Sequence, residues 1–237
     1  RVHAGSALSQ YYQVTVVPPP AVEQISIRYE YPEYTGLNPV EQITQNGEIV
    51  ALENTRVVVT AKTNRQMDSA VLMVGNEPQM RVLGSGGEVD PTQIQWAFKL
   101  RRDQESDWRI QLRDENGFEN DAIYYQLRSV RDETPTIDLV SPEAEELRLK
   151  PSEFVPLIYT ATEDFGLSEA TLLVRIDSRV EEQIEQPLPT RQNGAWGGNA
   201  SLDLAALEIE GRRARTLEVR VKISDNLPIE FKGAQTA

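Results

Sequence analysis

Residues 60–74 recur, without a gap, one hundred positions downstream. Thr60, Ala61, Ala70, Leu72 and Val74 fall on Thr160, Ala161, Ala170, Leu172 and Val174, and Trp96 falls on Trp196 at the same offset. A second match sets Tyr11-Tyr12-Gln13-Val14 against Tyr124-Tyr125-Gln126-Leu127, each followed by a valine, a Pro-bearing stretch and another run of alternating apolar residues. A chain that repeats at this spacing builds two copies of one unit. The offset predicts that Thr60-Ala61 superposes on Thr160-Ala161. It also predicts that the two tryptophans share a core role, each filling the space between sheets.

The repeated unit reads as β. Gln24 to Tyr31 alternates polar and apolar residues, the pattern of a half-buried strand. Arg56 to Ala61 is a β-branched run suited to a central strand. Ala70–Val74, Gln93–Leu100, Trp108–Arg113 and Ala122–Val130 follow, separated by turn clusters such as Gly84-Ser85-Gly86-Gly87 and Asp114-Glu115-Asn116-Gly117. Strands so closely spaced, with one short helical turn expected at Leu202–Leu207, predict an all-β chain of two tandem immunoglobulin-like sandwiches with antiparallel sheets. The first module is placed at residues 21–131 and the second at 132–237. Val130-Arg131-Asp132-Glu133-Thr134-Pro135 joins them, and its proline stiffens the joint.

Composition removes most chemistry. Acids outnumber bases 37 to 24, a net charge of −13, which argues against a nucleic-acid surface. There is no cysteine, hence no disulfide scaffold, thiolate nucleophile or Cys-bound metal. The single histidine, His3, leaves neither a Ser-His-Asp triad nor a multi-His metal site. The glycine run at 84–87 is followed by neither Lys-Ser/Thr nor a helix, as a phosphate loop requires. A pair of glycosidase carboxylates needs a cleft that two small sandwiches do not obviously offer. The expectation is a non-enzyme, with no catalytic, cofactor-binding or metal position assigned.

Tyr29-Glu30-Tyr31-Pro32-Glu33-Tyr34-Thr35-Gly36-Leu37 opens the first module. Arg131-Asp132-Glu133-Thr134-Pro135, Pro156 to Ala161 and Glu163-Asp164-Phe165-Gly166-Leu167 mark the second. In these runs the chain resembles an uncharacterised family of large bacterial membrane-anchored proteins. The resemblance spans nearly the whole chain and is most specific at Tyr-Pro-Glu-Tyr-Thr-Gly. It implies immunoglobulin-like extracytoplasmic modules, periplasmic or in the cell envelope, carried by a membrane-anchored parent. It supplies no catalytic residues. The chain begins at Arg1 and no run of it is apolar enough for a membrane span, so it reads as a segment of something larger.

Two constellations are candidates for binding. Tyr29, Tyr31 and Tyr34 could grip a sugar or a partner peptide, as aromatic anchors do. Against that stands an ordinary role, with Tyr29 and Tyr31 on one strand face packing on the sandwich. The acids Asp132, Glu133, Glu163 and Asp164, with Asp114 and Glu115 in an end loop, could hold calcium, which takes six to eight oxygens. Ala161-Thr162-Glu163-Asp164-Phe165-Gly166 resembles a cadherin loop but lacks its second aspartate, and acidic turns need no ligand. The favoured reading is a non-enzymatic extracytoplasmic spacer and protein-interaction module. A carbohydrate-binding or calcium-stiffened adhesive module is the alternative.

The second repeat bears on the ends. Residues 1–20 read as the last strand of an upstream module plus a Pro linker, and the second module reads as lacking its final strand. Self-association by strand exchange through Ser9 to Val17 is the corresponding expectation.

Overall fold

Alternation at every second position decides the strands. In Arg56–Thr63 the residues Val57, Val59 and Ala61 are completely buried while their neighbours face outward. In Glu105–Arg113 the buried set is Trp108, Ile110 and Leu112. The structure, a computed structural model, describes residues 5, 10–82, 90–150, 152–177, 183–192, 195–207 and 216–228.

The first ten strands are β1 (Val22–Glu30), β2 (Val40–Thr44), β3 (Ile49–Leu52), β4 (Arg56–Thr63), β5 (Ser69–Val74), β6 (Glu77–Pro78), β7 (Met80–Val82), β8 (Gln93–Lys99), β9 (Glu105–Arg113) and β10 (Tyr125–Val130). They form two sheets, β2-β1-β4-β8-β7 and β3-β10-β9-β5-β6. Seven strands follow: β11 (Thr136–Ser141), β12 (Phe154–Thr162), β13 (Leu167–Ile176), β14 (Gln183–Pro187), β15 (Arg191–Gln192), β16 (Ala195–Asp203) and β17 (Leu217–Asp225). Their sheets run β11-β12-β16-β15 and β14-β13-β17. The chain is therefore two tandem immunoglobulin-like sandwiches, antiparallel except where β10 runs parallel to β3.

Each sandwich has its own core. In the first, Trp96 on β8 and Trp108 on β9 come from opposite sheets and are both fully buried among Ile27, Ile49, Leu72 and Leu127. The Trp108 indole nitrogen donates to the Gly47 carbonyl at 2.9 Å, and the Tyr125 ring lies 4.6 Å from the indole. Gly47 sits at φ 63°, where a side chain would run into that tyrosine ring. Leu157, Tyr159, Leu172 and Val174 centre the second core.

The structure corrects the tryptophan equivalence. Thr60-Ala61 and Thr160-Ala161 do occupy matching places, with Ile25 opposite Ala61 and Ile137 opposite Ala161. In β8, however, Trp96 lies opposite Val59, whereas the residue opposite Tyr159 is Gly198. The two pairs exchange bulk across the ladder: small-with-large becomes large-with-none. Trp196 lies two places before Gly198, is half-buried, and has the Arg191 guanidinium over its ring at 4.7 Å. An ungapped offset fails here because packing fixes the volume of a cross-strand pair, not which strand supplies it.

Smaller differences follow from packing. Ala122–Tyr124 precede β10 rather than joining it, and β16 runs on to Asp203, leaving only Ala205–Leu207 as a 3-10 turn. Residues 229–237, on which the expectation that the second module lacks its final strand bears, and the glycine run at 84–87 lie outside the described residues.

Candidate metal centre at the module seam

Three short segments meet where the sandwiches join. The first is the turn Glu33–Thr35, closed by the Thr35 hydroxyl donating to the Pro32 carbonyl at 2.8 Å and ended by Gly36 in the left-handed region at φ 66°. Its Tyr34 ring stands edge-on to Phe165 of the second sandwich, 6.0 Å between centroids and 89° between planes. The second segment is the linker. Glu53 donates its backbone N–H to Val130 at 2.8 Å, and the Arg131 guanidinium forks onto Asp103, with Nη2 to Oδ2 at 2.6 Å. Asp132 thus leaves the first sandwich immediately after two anchored residues. The third segment comprises the turn at Glu163–Gly166 and the end of β17.

Asn226 ties these segments together. Its backbone N–H donates to Gly166 at 2.9 Å, and its side-chain amide donates to the Tyr34 carbonyl at 2.8 Å and to Phe165 at 3.3 Å. A Cβ on Gly166, whose φ is 142°, would lie 3.2 Å from that amide nitrogen and 3.3 Å from the Trp196 ring. Glycine is what lets the turn, the asparagine and the indole close on one another.

In this seam the carboxylates of Asp132, Glu163 and Asp164 each bring an oxygen within 4.8 Å of the others. Both oxygens of Asp132 and both of Glu163 are sealed from solvent, and none takes a hydrogen bond of normal geometry. Among the described residues no lysine or arginine forms an ion pair with them. Burial, reinforced by the charges of Asp164 and Asp225, pushes the Asp132 carboxyl up to about 6, although the neighbouring Tyr34 phenol pulls the other way. Burial, with Asp164 beside it, pushes Glu163 up to about 7. The Tyr34 phenol is itself driven well above its ordinary value, first by burial and then by Asp132.

Such an arrangement is costly without a counter-charge, because desolvated carboxylates repel one another and no donor here reaches them with normal hydrogen-bond geometry. A hard cation resolves it. Oxygens ligating calcium sit about 2.3–2.6 Å from the ion, so any two lie within about 5 Å of each other, the span seen here. The donors are all oxygen, a set suited to calcium rather than to zinc or copper. Asn226 Oδ1, also sealed and without a hydrogen-bond donor, belongs to the same seam.

The remaining sequence candidates lie elsewhere. Glu133 is exposed, and Asp114 and Glu115 follow the far end of β9, away from the linker. The tyrosines do not share one surface. Tyr29 is in the core, accepting a hydrogen bond from Gln42 at 3.2 Å, and Tyr31 stacks beside it at 6.4 Å. Tyr31 and Phe98 line a shallow groove of about 480 Å³ with Glu30, Asn54, Arg56 and Lys99. Tyr34 belongs to the seam. Sequence reasoning placed neither Tyr34 nor Asp225-Asn226 there, although the Asp-Asn pair closing a strand was the available signal.

No family model matches the chain, and no curated protein matches it. Among solved structures it is similar to fibronectin(III)-like modules of CbhA from Clostridium thermocellum, at 14% identity over 76% of this chain and 83% of that one, with a TM-score of 0.23. It is similar also to the titin immunoglobulin tandem A164-A165, at 7% identity over 87% and 95% of the two chains, TM-score 0.28. Nothing about function is carried from either.

Proposed function

We propose that the chain is a non-enzymatic spacer and protein-interaction segment of an extracytoplasmic, membrane-anchored protein, and that calcium bound at the seam sets the angle between its two modules. The observation that carries this reading is the set of four sealed, unsatisfied oxygens of Asp132 and Glu163 beside Asp164. Asp132 belongs to the linker and Glu163 to the second sandwich, so an ion held by both stiffens the joint. The resemblance of Tyr29–Leu37 and Arg131–Pro135 to modules of bacterial envelope proteins supports the extracytoplasmic setting. Extracellular modules bind calcium at about 10⁻⁴–10⁻³ M, an affinity that a site of three carboxylates can reach. Small-angle scattering with and without calcium tests it. The reading expects an extended particle whose maximum dimension becomes better defined with calcium, and an identical profile in EDTA would refute the cation's role.

A second reading is favoured by the groove at Tyr31 and Phe98, whose aromatic and charged lining suits a sugar ring. A glycan array with Tyr31→Ala and Tyr34→Ala controls decides it. Binding lost with Tyr31 alone would support the groove, and no binding at all would remove the reading.

A further inference from the structure

The two sandwiches use the same register along one strand pair. In the first, Ala70 faces Leu112 and Val74 faces Trp108. In the second, Ala170 faces Ile223 and Val174 faces Val219. Trp108, Ile110 and Leu112 of β9 therefore correspond to Val219, Val221 and Ile223 of β17. The first three are almost wholly buried, at 0%, 3% and 1% exposure, while the second three are only partly covered. The cause is visible in the sheets. β9 is covered on its outer side by β10, where Tyr125 faces Trp108 and Leu127 faces Ser106. Among the described residues β17 is the edge of its sheet.

Residues 10–17 carry the same run as β10. Tyr11-Tyr12-Gln13-Val14 repeats Tyr124-Tyr125-Gln126-Leu127 in all but the aliphatic residue. They lie in no sheet, and Tyr12, Val14 and Val16 are 76%, 81% and 88% exposed. In β10 the corresponding Leu127 is 1% exposed and Tyr125 packs on Trp108. The base of the segment is fixed. Arg65 donates to the Pro18 carbonyl, Asn64 Nδ2 donates to Pro19 at 3.0 Å, and the Ala21 N–H donates to Asn64 Oδ1 at 3.2 Å. Pro18-Pro19-Pro20 holds the run extended and away from its own module.

We infer that residues 10–17 are a donor strand that pairs, antiparallel, with the β17 edge of a second copy of this chain. The main chain supplies the ladder. Tyr12 and Val14 supply the apolar cover that Tyr125 and Leu127 give the first sandwich. Matching Tyr12 to Tyr125 and Val219 to Trp108 fixes the register: Tyr12 faces Val219 and Val14 faces Leu217. A reciprocal exchange closes a dimer, and a one-way exchange builds a chain of copies. The occupant is another copy because the donor sequence is one this fold already accepts against the counterpart of β17.

The absence of native cysteine makes the register directly testable. Directly opposed residues of antiparallel strands have Cα atoms about 4.5–5.5 Å apart, within disulfide range. A Tyr12→Cys/Val219→Cys variant, mildly oxidised, is expected to give a covalent dimer or ladder as the major species on a non-reducing gel. Tyr12→Cys/Arg220→Cys, whose second position points to the other face, is expected not to. Unmodified full-length chain is expected to exceed monomer mass by light scattering, and chain lacking residues 1–17 to be monomeric. A monomeric full-length chain at high concentration overturns the inference. So does a disulfide formed within one chain, or equal cross-linking of the two cysteine pairs.

Discussion

Two buried acidic sites at opposite ends of the first sandwich solve the same problem differently. At the far end of β9, Asp114 is 2% exposed, yet Arg65 reaches it at 3.3 Å and the N–H groups of Asn116 and Phe118 donate to Oδ1 at 2.9 and 3.0 Å. At the seam, Asp132 and Glu163 have their oxygens sealed without a cationic side chain or a hydrogen bond of normal geometry. The first site carries its own counter-charge and is complete as folded. On the proposed reading the second is completed by a cation, or by protons in its absence. A buried acid with its own partner serves the fold, and one without points to something the chain binds.

The contrast makes graded predictions. The largest effect belongs to Arg65→Ala, which leaves the buried Asp114 carboxylate its two backbone donors but no counter-charge. Urea denaturation should show a loss of about 3 kcal/mol, the same with calcium or EDTA. The seam should behave oppositely. Asp132→Asn with Glu163→Gln should leave stability in EDTA unchanged or raised, and should abolish the calcium-induced gain of about 2 kcal/mol expected when calcium stands at tens of times its dissociation constant. A calcium-dependent loss in the first variant, or a retained gain in the second, would erase the distinction.

Acidity probes the same seam with a smaller effect. Asp132 and Glu163 have folded-state values raised to about 6 and about 7, with Asp164, Asp225 and the Tyr34 phenol facing them. In the absence of metal the folded chain therefore holds protons that the unfolded chain has released. That stability is full below the ordinary carboxylate range and is lost as pH rises through those values. Melting in EDTA should weaken between about pH 4 and about pH 7, and saturating calcium should flatten the decline. The smallest effect is Phe165→Ala, which removes the edge-on contact with Tyr34 and should cost about 1 kcal/mol, read as a loosened joint in scattering.

Much of the fold was legible because strand alternation is a local property. Val57, Val59 and Ala61, or Trp108, Ile110 and Leu112, announce their buried face in the residue order itself. The exchange of Val59–Trp96 for Tyr159–Gly198 was not legible, since bulk is shared across a ladder whose register no single strand records. Asp132, Glu163 and Asp164 were three of six acids weighed in the sequence for calcium, with no metal position assigned, and the fold brings those three together while placing Glu133, Asp114 and Glu115 elsewhere. Tyr34 and Asn226 were hidden because they join the seam from positions 192 residues apart. Their role exists only where one sandwich meets the next.

Terbium luminescence tests the central claim most directly. Terbium occupies calcium's oxygen sites, and the Tyr34 phenol beside Asp132 is placed to sensitise it. On excitation of the protein, the account predicts green emission that saturates at one ion per chain, is displaced by calcium and is lost in Asp132→Asn/Glu163→Gln. No sensitised emission, or emission that survives the double substitution, would contradict it.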